Sequence, residues 1–174
     1  IREVDINPLL ADRDSLIAVD ARIGVSPSRR LHKGPGHPRF AIRAYPKEWE
    51  REIALSDGAT AFVRPVRPED DEMFRAFFAR VSDEDLRMRF FQTVRHFSHE
   101  FIAQLTQLDY ARSIALVAID PQTGEMLGAV RLLADANYDR GEYGILVRSD
   151  LKGHGLGWRL MQIMIEYARW LGLR

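Results

Sequence analysis

A glycine-rich segment between an apolar strand and an amphipathic helix constrains this chain more than any other part of its sequence. The segment is Lys152–Gly157, with the letters KGHGLG, and it follows the apolar residues 143–147. Glycines at three alternate positions leave the backbone N–H groups open to an anion, because no Cβ atom shields them. The residues after the segment repeat apolar side chains every three or four positions, which is typical of a helix packed on a sheet. The N-terminus of that helix adds partial positive charge, so the sequence predicts a phosphate-binding loop.

Two common nucleotide-binding loops do not fit this spacing. A Walker loop requires lysine and then serine or threonine directly after its second glycine, whereas Gly157 is followed by Trp158 and Arg159. A Rossmann loop requires the order G-x-G-x-x-G, whereas the glycines here alternate strictly. The alternative that stays open is a tight strand-to-helix turn that binds nothing.

The spacing resembles the acetyl-CoA diphosphate loop of the GNAT N-acetyltransferases, Gln/Arg-x-x-Gly-x-Gly/Ala. Lys152 occupies the first place, where it departs from the family pattern but keeps a cation, and Gly155 and Gly157 occupy the glycine places. The order strand, two helices, three strands, helix over about residues 59–174 also resembles this family. The resemblance implies an α+β fold, with a mixed, mainly antiparallel sheet flanked by helices, and acetyl-CoA as acyl donor. The implied cofactor-binding residues are Ile145, Leu146, Val147, Lys152, Gly153, His154, Gly155, Leu156 and Gly157.

Glu142 is the candidate catalytic residue, because it begins the strand that leads into the glycine loop. An amine with a pKa near 10.4 is mostly protonated at neutral pH and attacks a thioester only after a base removes a proton. We expect Glu142 to be that base, directly or through one water, with Asp135 and Asp139 as second choices. The alternative is that Glu142 is a solvent-facing carboxylate at the end of a strand, without a catalytic role. Attack is direct, since the chain has no cysteine to form an acyl intermediate.

The remaining steps of such a reaction have weaker candidates. A strand N–H near Leu146 or Val147 can stabilise the oxyanion, and Tyr143 can protonate the leaving thiolate.

Composition excludes several other kinds of protein. Lysine plus arginine and aspartate plus glutamate both total 25, so no bulk charge favours nucleic acid or an anionic membrane as a partner. The absence of cysteine excludes disulfides and thiolate metal sites and fits the cytoplasm. No apolar run has the length of a membrane helix. We therefore expect a cytoplasmic protein that requires no metal.

Residues 1–24 predict a strand, a turn and a second strand. Their letters DINPL and VDAR resemble the last strands of the ATP-grasp module in NDP-forming acyl-CoA synthetases, where residues at the places of Asp5 and Asn7 help to bind magnesium. Two such side chains are too few to hold the ion here.

Proline, glycine and basic residues then predict a linker over residues 25–56, in which 47–52 reads as helical. The acetyltransferase domain is expected over 57–174, with a further strand, helix and strand of the family missing after Arg174.

An ATP-grasp-like end before a GNAT domain resembles the bacterial protein lysine acetyltransferases of the Pat type. The resemblance implies a protein partner with a reactive lysine, namely an acyl-CoA synthetase. Residues 82–95 predict a helix capped by Ser82, and nearby arginines suggest a docking surface for that partner: Arg80, Arg87, Arg89 and Arg95. Two alternatives stay open: a catalytically weak module that binds acyl-CoA and regulates its neighbour, and an acetyltransferase for small amines.

Overall fold

The structure is a computed structural model that describes residues 3–25, 43–91 and 97–173. The chain separates into two compact units, residues 1–36 and 37–174. Among the described residues, no helix is both long enough and apolar enough to cross a lipid bilayer.

The first unit contains four short strands in two antiparallel pairs. They are β1 (Glu3–Ile6), β2 (Leu9–Ala11), β3 (Leu16–Ala18) and β4 (Ala21–Gly24), with β1 paired to β4 and β2 to β3. Each of the two predicted strands is thus divided in two, and Pro8, which has no N–H to donate, stands at the first division. Apolar strand residues such as Leu10 and Ile17 are exposed. The described part of this unit therefore buries no hydrophobic core of its own.

The second unit is built on one five-stranded antiparallel sheet in the order β5-β6-β7-β8-β9. Its strands are β5 (Arg51–Ala54), β6 (Thr60–Pro65), β7 (Ser113–Ile119), β8 (Met126–Ala134) and β9 (Gly141–Val147). The last three strands were predicted in this order, and the predicted α+β class is confirmed. Every residue of β7 is buried, so the central strand is covered on both faces.

The segment before β6 differs from the sequence prediction. Helix was expected over residues 47–52, but only a single 3-10 turn, Lys47–Trp49, is present, and β5 follows it. Trp49 is buried against Tyr167 and Trp170, with ring centroids 5.0 and 6.0 Å away. Burial of this indole fixes the turn and directs the next residues along β6. The linker assignment is therefore wrong for Arg51–Ala54, which belongs to the sheet.

Helices cover the two faces of the sheet. They are α1 (Asp71–Phe78), α2 (Asp83–Phe90), α3 (His99–Thr106) and α4 (Leu156–Leu171). Side chains of α1, α2 and α3 form one core cluster with Val117 and Ile119. Side chains of α4 form the second cluster, with Leu116 and Leu132. The alternation of side chains along the strands produces these two separate cores.

Helix α2 is shorter than predicted. Ser82 caps it as expected, since its Oγ accepts a hydrogen bond from the N–H of Asp85 at 3.2 Å. The helix ends at Phe90, because Phe91 adopts a left-handed conformation with φ of 56°. The remainder of the predicted helix, residues 92–95, lies outside the described residues.

A buried ion pair joins β6 to the start of α1. The guanidinium of Arg64 donates two hydrogen bonds to the carboxylate of Asp70, at 2.6 and 2.8 Å, and the side chains are only 8% and 5% exposed. The N–H of Arg67 donates to the same carboxylate at 2.7 Å. This pairing fixes the 3-10 turn Pro68–Asp70 that introduces α1.

We expect Asp70→Asn to lower the free energy of unfolding by about 3 kcal/mol, because it leaves a buried guanidinium without its counter-charge. Urea denaturation monitored by circular dichroism measures this change. Glu166→Gln is the control, since it removes the exposed partner of Arg51 and should cost less than about 1 kcal/mol. Equal effects of the two substitutions would contradict the importance of burial.

Candidate functional site

An open groove of about 890 Å³ runs along β9, between α2 and the first turn of α4. Its walls contain all but one of the residues that the sequence assigned to the acyl donor: Ile145, Leu146, Val147, Lys152, Gly153, Gly155, Leu156 and Gly157. The groove also has residues that the sequence did not single out for the site: Asp85, Met88, Phe91, Trp158 and Met161. Their contribution depends on how α2 and α4 pack beside β9, which no local pattern reveals.

His154 is the exception among the expected donor residues. Its Nδ1 lies 2.8 Å from Oδ2 of Asp57, on the side away from the groove. Its carbonyl oxygen accepts hydrogen bonds from Oγ and N–H of Ser56, at 2.6 and 3.2 Å. His154 thus anchors the glycine loop to the turn after β5.

The glycine loop has the backbone geometry that its sequence suggests. Gly153 and Gly155 have φ of 86° and 83°, a left-handed region where side chains are strained. A Cβ on Gly155 would also approach Oγ of Ser56 to 3.1 Å. Gly157, in the first turn of α4, has ordinary helical dihedrals. A Cβ on Gly157 would lie 3.7 Å from Cγ2 of Val147, which is a normal contact distance.

The N-terminus of α4 opens into the groove. No side chain caps this sixteen-residue helix, so N–H groups of its first turn, around Leu156 and Gly157, have no capping partner. Together with the helix dipole, these groups favour an anion such as a diphosphate. The apolar walls along Ile145 and Val147 suit an aliphatic chain. The arrangement therefore fits acetyl-CoA.

Lys152 is not free to act as an isolated cation. Its ammonium group contacts the carboxylate of Asp85, which also accepts hydrogen bonds from Oγ of Ser149 at 2.6 Å and Oγ of Ser82 at 2.9 Å. These contacts join the start of α2 to the start of the glycine loop. The bond from Lys152 and the serine hydroxyls hold the pKa of Asp85 below its ordinary value. The cation that the sequence placed beside the phosphate is thus paired within the protein.

Glu142 lies on β9 at the opposite end from the glycine loop. It is exposed, and it is paired in register with Leu133 of β8. Since side chains alternate along a strand, Glu142 and Leu146 share the face covered by α1, α2 and α3, whereas Ile145 faces α4. Glu142 is not among the groove walls, and its carboxylate forms no hydrogen bond or ion pair with a described residue. Its carboxylate is therefore open to an incoming group on that face.

The two second-choice bases lie in the turn between β8 and β9. Oδ1 of Asp135 accepts a hydrogen bond from the N–H of Asp139 at 2.9 Å, so this carboxylate stabilises the turn. Tyr143, the candidate acid, is 61% exposed and borders the groove. Among the described residues, histidine, aspartate and glutamate form no group of three or more that could hold a metal ion.

Residues 61–174 match the family described as the acetyltransferase (GNAT) domain. The chain belongs to this GNAT acetyltransferase family. An acetyltransferase of Pseudomonas aeruginosa is 33% identical over 123 residues, which cover 70% of this chain and 66% of the relative. The acetyltransferase Pat of Mycolicibacterium smegmatis is 28% identical over 123 residues, 70% of this chain and 37% of the relative. The matched region thus spans just under two thirds of the first relative and just over one third of the second.

Solved structures also resemble this GNAT fold. The GNAT domain of S. lividans PAT superimposes with a TM-score of 0.70 at 32% identity, covering 75% of this chain and 78% of that one. A GNAT-family acetyltransferase from Streptococcus pneumoniae has a TM-score of 0.50 at 23% identity, covering 64% and 68% of the two chains. The second similarity supports the fold alone.

The arginines near α2 have different surroundings in this GNAT domain. Arg80 lies 3.4 Å from the carboxylate of Glu125, and Arg89 turns inward over Gly144. Arg87 is exposed, and Arg95 lies outside the described residues. Arg80 and Arg87 are thus exposed and Arg89 is half-buried, and the docking surface on these arginines stays a prediction.

We expect Asp85→Asn to lower the free energy of unfolding by about 1 to 2 kcal/mol at neutral pH. Because folding lowers the pKa of Asp85, its contribution is present above about pH 4 and disappears as the pH falls through the folded value. The difference between wild type and variant should therefore shrink as the pH falls from about 5 to 2. Urea denaturation at several pH values measures it. A difference that stays constant with pH would exclude an ionised Asp85 as the cause.

Proposed function

We propose that this GNAT domain transfers the acetyl group of acetyl-CoA to the ε-amine of a lysine in a protein, with acyl-CoA synthetases as the expected substrate class. One arrangement carries the proposal: β9 has an uncapped helix N-terminus and a glycine loop at one end and an open carboxylate, Glu142, at the other. A donor bound along this strand would have its diphosphate at the loop. The thioester would then lie toward Glu142.

Backbone groups hold the donor in this proposal. The diphosphate accepts hydrogen bonds from N–H groups of the glycine loop and the first turn of α4, and the pantetheine follows Ile145 to Val147. Pairing of Lys152 with Asp85 leaves the backbone as the main source of positive potential. Affinity for acetyl-CoA should consequently depend on access to the loop.

The chemistry requires one base and no covalent enzyme intermediate. Glu142 takes a proton from the lysine ammonium, and the neutral amine attacks the thioester carbon. A tetrahedral oxyanion forms and accepts a hydrogen bond from an N–H near Leu146 or Val147; on an edge strand, alternate N–H groups have no strand partner. The C–S bond then breaks as the nitrogen loses its second proton, which passes through Tyr143 or water to the CoA thiolate. The products are Nε-acetyl-lysine and free CoA, and Glu142 releases the first proton to solvent.

Two observations favour a protein lysine over a small amine as acceptor. The matched GNAT domain of S. lividans and the relative from M. smegmatis are both named Pat. The hairpin of residues 3–24 carries exposed apolar side chains on strands whose sequence resembles an acyl-CoA synthetase module. A synthetase-like neighbouring region would link the function of the GNAT domain to acyl-CoA metabolism. Fusion to such a region is part of this proposal.

Gly157→Glu should weaken acetyl-CoA binding at least about 10-fold, because it adds bulk and negative charge beside the diphosphate. Gly157→Ala is the matched control: there is room for its Cβ, and the family pattern allows alanine at this place. Alanine should preserve affinity and raise the unfolding free energy by up to about 1 kcal/mol, since glycine is a poor helix former. Isothermal titration calorimetry measures affinity. Unchanged affinity of the glutamate variant would exclude backbone binding at this loop.

Glu142→Gln keeps the shape of the side chain and removes the proton acceptor. We expect turnover to fall about 100- to 10,000-fold while the affinity for acetyl-CoA barely changes. Release of CoA in the presence of a lysine acceptor, followed with a thiol reagent, measures turnover. Wild-type turnover in this variant at neutral pH would rule out Glu142 as the base.

The acceptor is identified by incubating the full-length protein and acetyl-CoA with a cell lysate and locating acetylated lysines by mass spectrometry. Selective modification of acyl-CoA synthetases, lost with Glu142→Gln, is the expected result. Acetyl-CoA binding without modification of any protein would instead favour a regulatory module. Acetylation of small amines alone would favour a small-molecule acetyltransferase.

A further inference from the structure

Two arginines converge on one point of the sheet beside Glu142. Arg131 of β8 stands directly opposite Gly144 of β9, so its side chain is on the face that also carries Glu142. Arg89 of α2 covers Gly144 from above, and its guanidinium occupies the place that a Cβ on that glycine would take. Only a residue without a side chain permits this approach. Glycine at position 144 thus creates the space that Arg89 occupies.

Neither guanidinium has a carboxylate partner within the described part of the chain. Among the described residues, no aspartate or glutamate oxygen lies within 4.0 Å of a side-chain nitrogen of Arg89 or Arg131. The remaining segments, residues 1–2, 26–42, 92–96 and 174, contain no aspartate or glutamate. Both arginines therefore lack the acidic side chain that usually accompanies a partly buried guanidinium.

The surroundings make this lack of a partner costly. Nε of Arg131 is buried and has no hydrogen-bond partner among the described residues, and Nη1 donates only a long bond of 3.3 Å to the carbonyl of Gln104. Burial lowers the pKa of both arginines, and the charge of Arg131 lowers that of Arg89 further. Two like charges in a partly apolar place repel each other. An anion between them would relieve the repulsion and satisfy the buried donor.

The space beside the arginines limits the anion to a small group. Both side chains border a cavity of about 40 Å³, whose other walls are mostly apolar: Phe74, Phe77, Phe78, Phe90 and Leu105. Arg89 also borders the donor groove, so the cavity adjoins the proposed path of the acyl group. A guanidinium presents two parallel N–H groups that match the two oxygens of a carboxylate.

We propose that Arg89 and Arg131 form a carboxylate-binding subsite that recognises an acidic group on one of the two substrates of the proposed acyl transfer. The carboxylate belongs either to an acidic residue next to the acceptor lysine or to the end of a dicarboxylic acyl chain on CoA. Either source places the reacting group beside Glu142, two residues along β9 from Gly144. This inference deepens the proposed function and rests on it.

Binding measurements test the subsite without requiring turnover. One arm compares succinyl-CoA with acetyl-CoA by calorimetry on the full-length protein. The other arm uses fluorescent lysine peptides that differ only in having glutamate or glutamine beside the lysine. Their binding is measured by fluorescence anisotropy, with and without CoA. We expect at least about 10-fold tighter binding of the carboxylate-bearing probe in one arm, as for a hydrogen-bonded charge pair. The arm that shows the preference identifies the source.

Variants connect the preference to the arginines. The ratio to follow is the affinity for the carboxylate-bearing probe divided by the affinity for the neutral probe. Arg131→Met should reduce this ratio to near one, and Arg131→Lys, which keeps the charge, should retain part of the preference. Arg87→Met, which removes an exposed charge from the same helix, should leave the ratio unchanged. Thermal unfolding followed by circular dichroism checks that each variant is folded, and if Arg131→Met is not, Arg89→Gln replaces it.

Two results would overturn the subsite: no preference for a carboxylate in either arm of the wild type, or a preference that survives loss of the guanidinium. Failure of the proposed function looks different: acetyl-CoA would not bind, or it would bind without acetylation of any protein. In that case the peptide arm without CoA still decides whether the arginines bind a carboxylate.

Discussion

Complete burial of β7 is the constraint on which the second unit depends. A strand with seven buried residues must have apolar cover on both faces of its sheet, and one helical layer cannot provide it. Helices α1, α2 and α3 cover one face and α4 covers the other. Because β9 lies at the edge of the described sheet, α2 and the first turn of α4 meet on either side of it. The groove along β9 is a consequence of this two-sided packing.

The charges around the groove divide into two groups with different roles. Asp85 and Lys152 neutralise each other and tie α2 to the glycine loop, so they stabilise the walls. Arg89 and Arg131 have no carboxylate partner among the described residues and keep a positive potential on the face of Glu142. Backbone N–H groups supply positive potential at the other end of β9. The two ends of the strand therefore suit different anions: a diphosphate at the loop and a carboxylate near Glu142.

The glycine loop is positioned from three sides. His154 bonds to Ser56 and Asp57 after β5, Lys152 contacts Asp85 of α2, and Leu156 is fully buried under the sheet. Partners in these contacts are separated by 67 to 98 residues along the chain. Anchors of this kind hold N–H groups in place before a ligand arrives, which reduces the ordering cost of binding. Loop rigidity here is a property of tertiary contacts and not of the glycines themselves.

The sequence by itself determined the elements whose signals are local. Alternating glycines between an apolar strand and an amphipathic helix predicted the loop and α4, and strand periodicity predicted β7, β8 and β9, since backbone freedom and side-chain period act within a few residues. Only the tertiary structure decided that residues 51–54 form a strand, because burial of Trp49 and pairing with β6 outweigh a weak helical pattern. It also decided that Lys152 is paired, that His154 faces away from the groove and that Arg89 lies over Gly144. Each of these outcomes is set by residues distant in sequence, and the electrostatic and packing energies that select them depend on separations that only the folded chain defines.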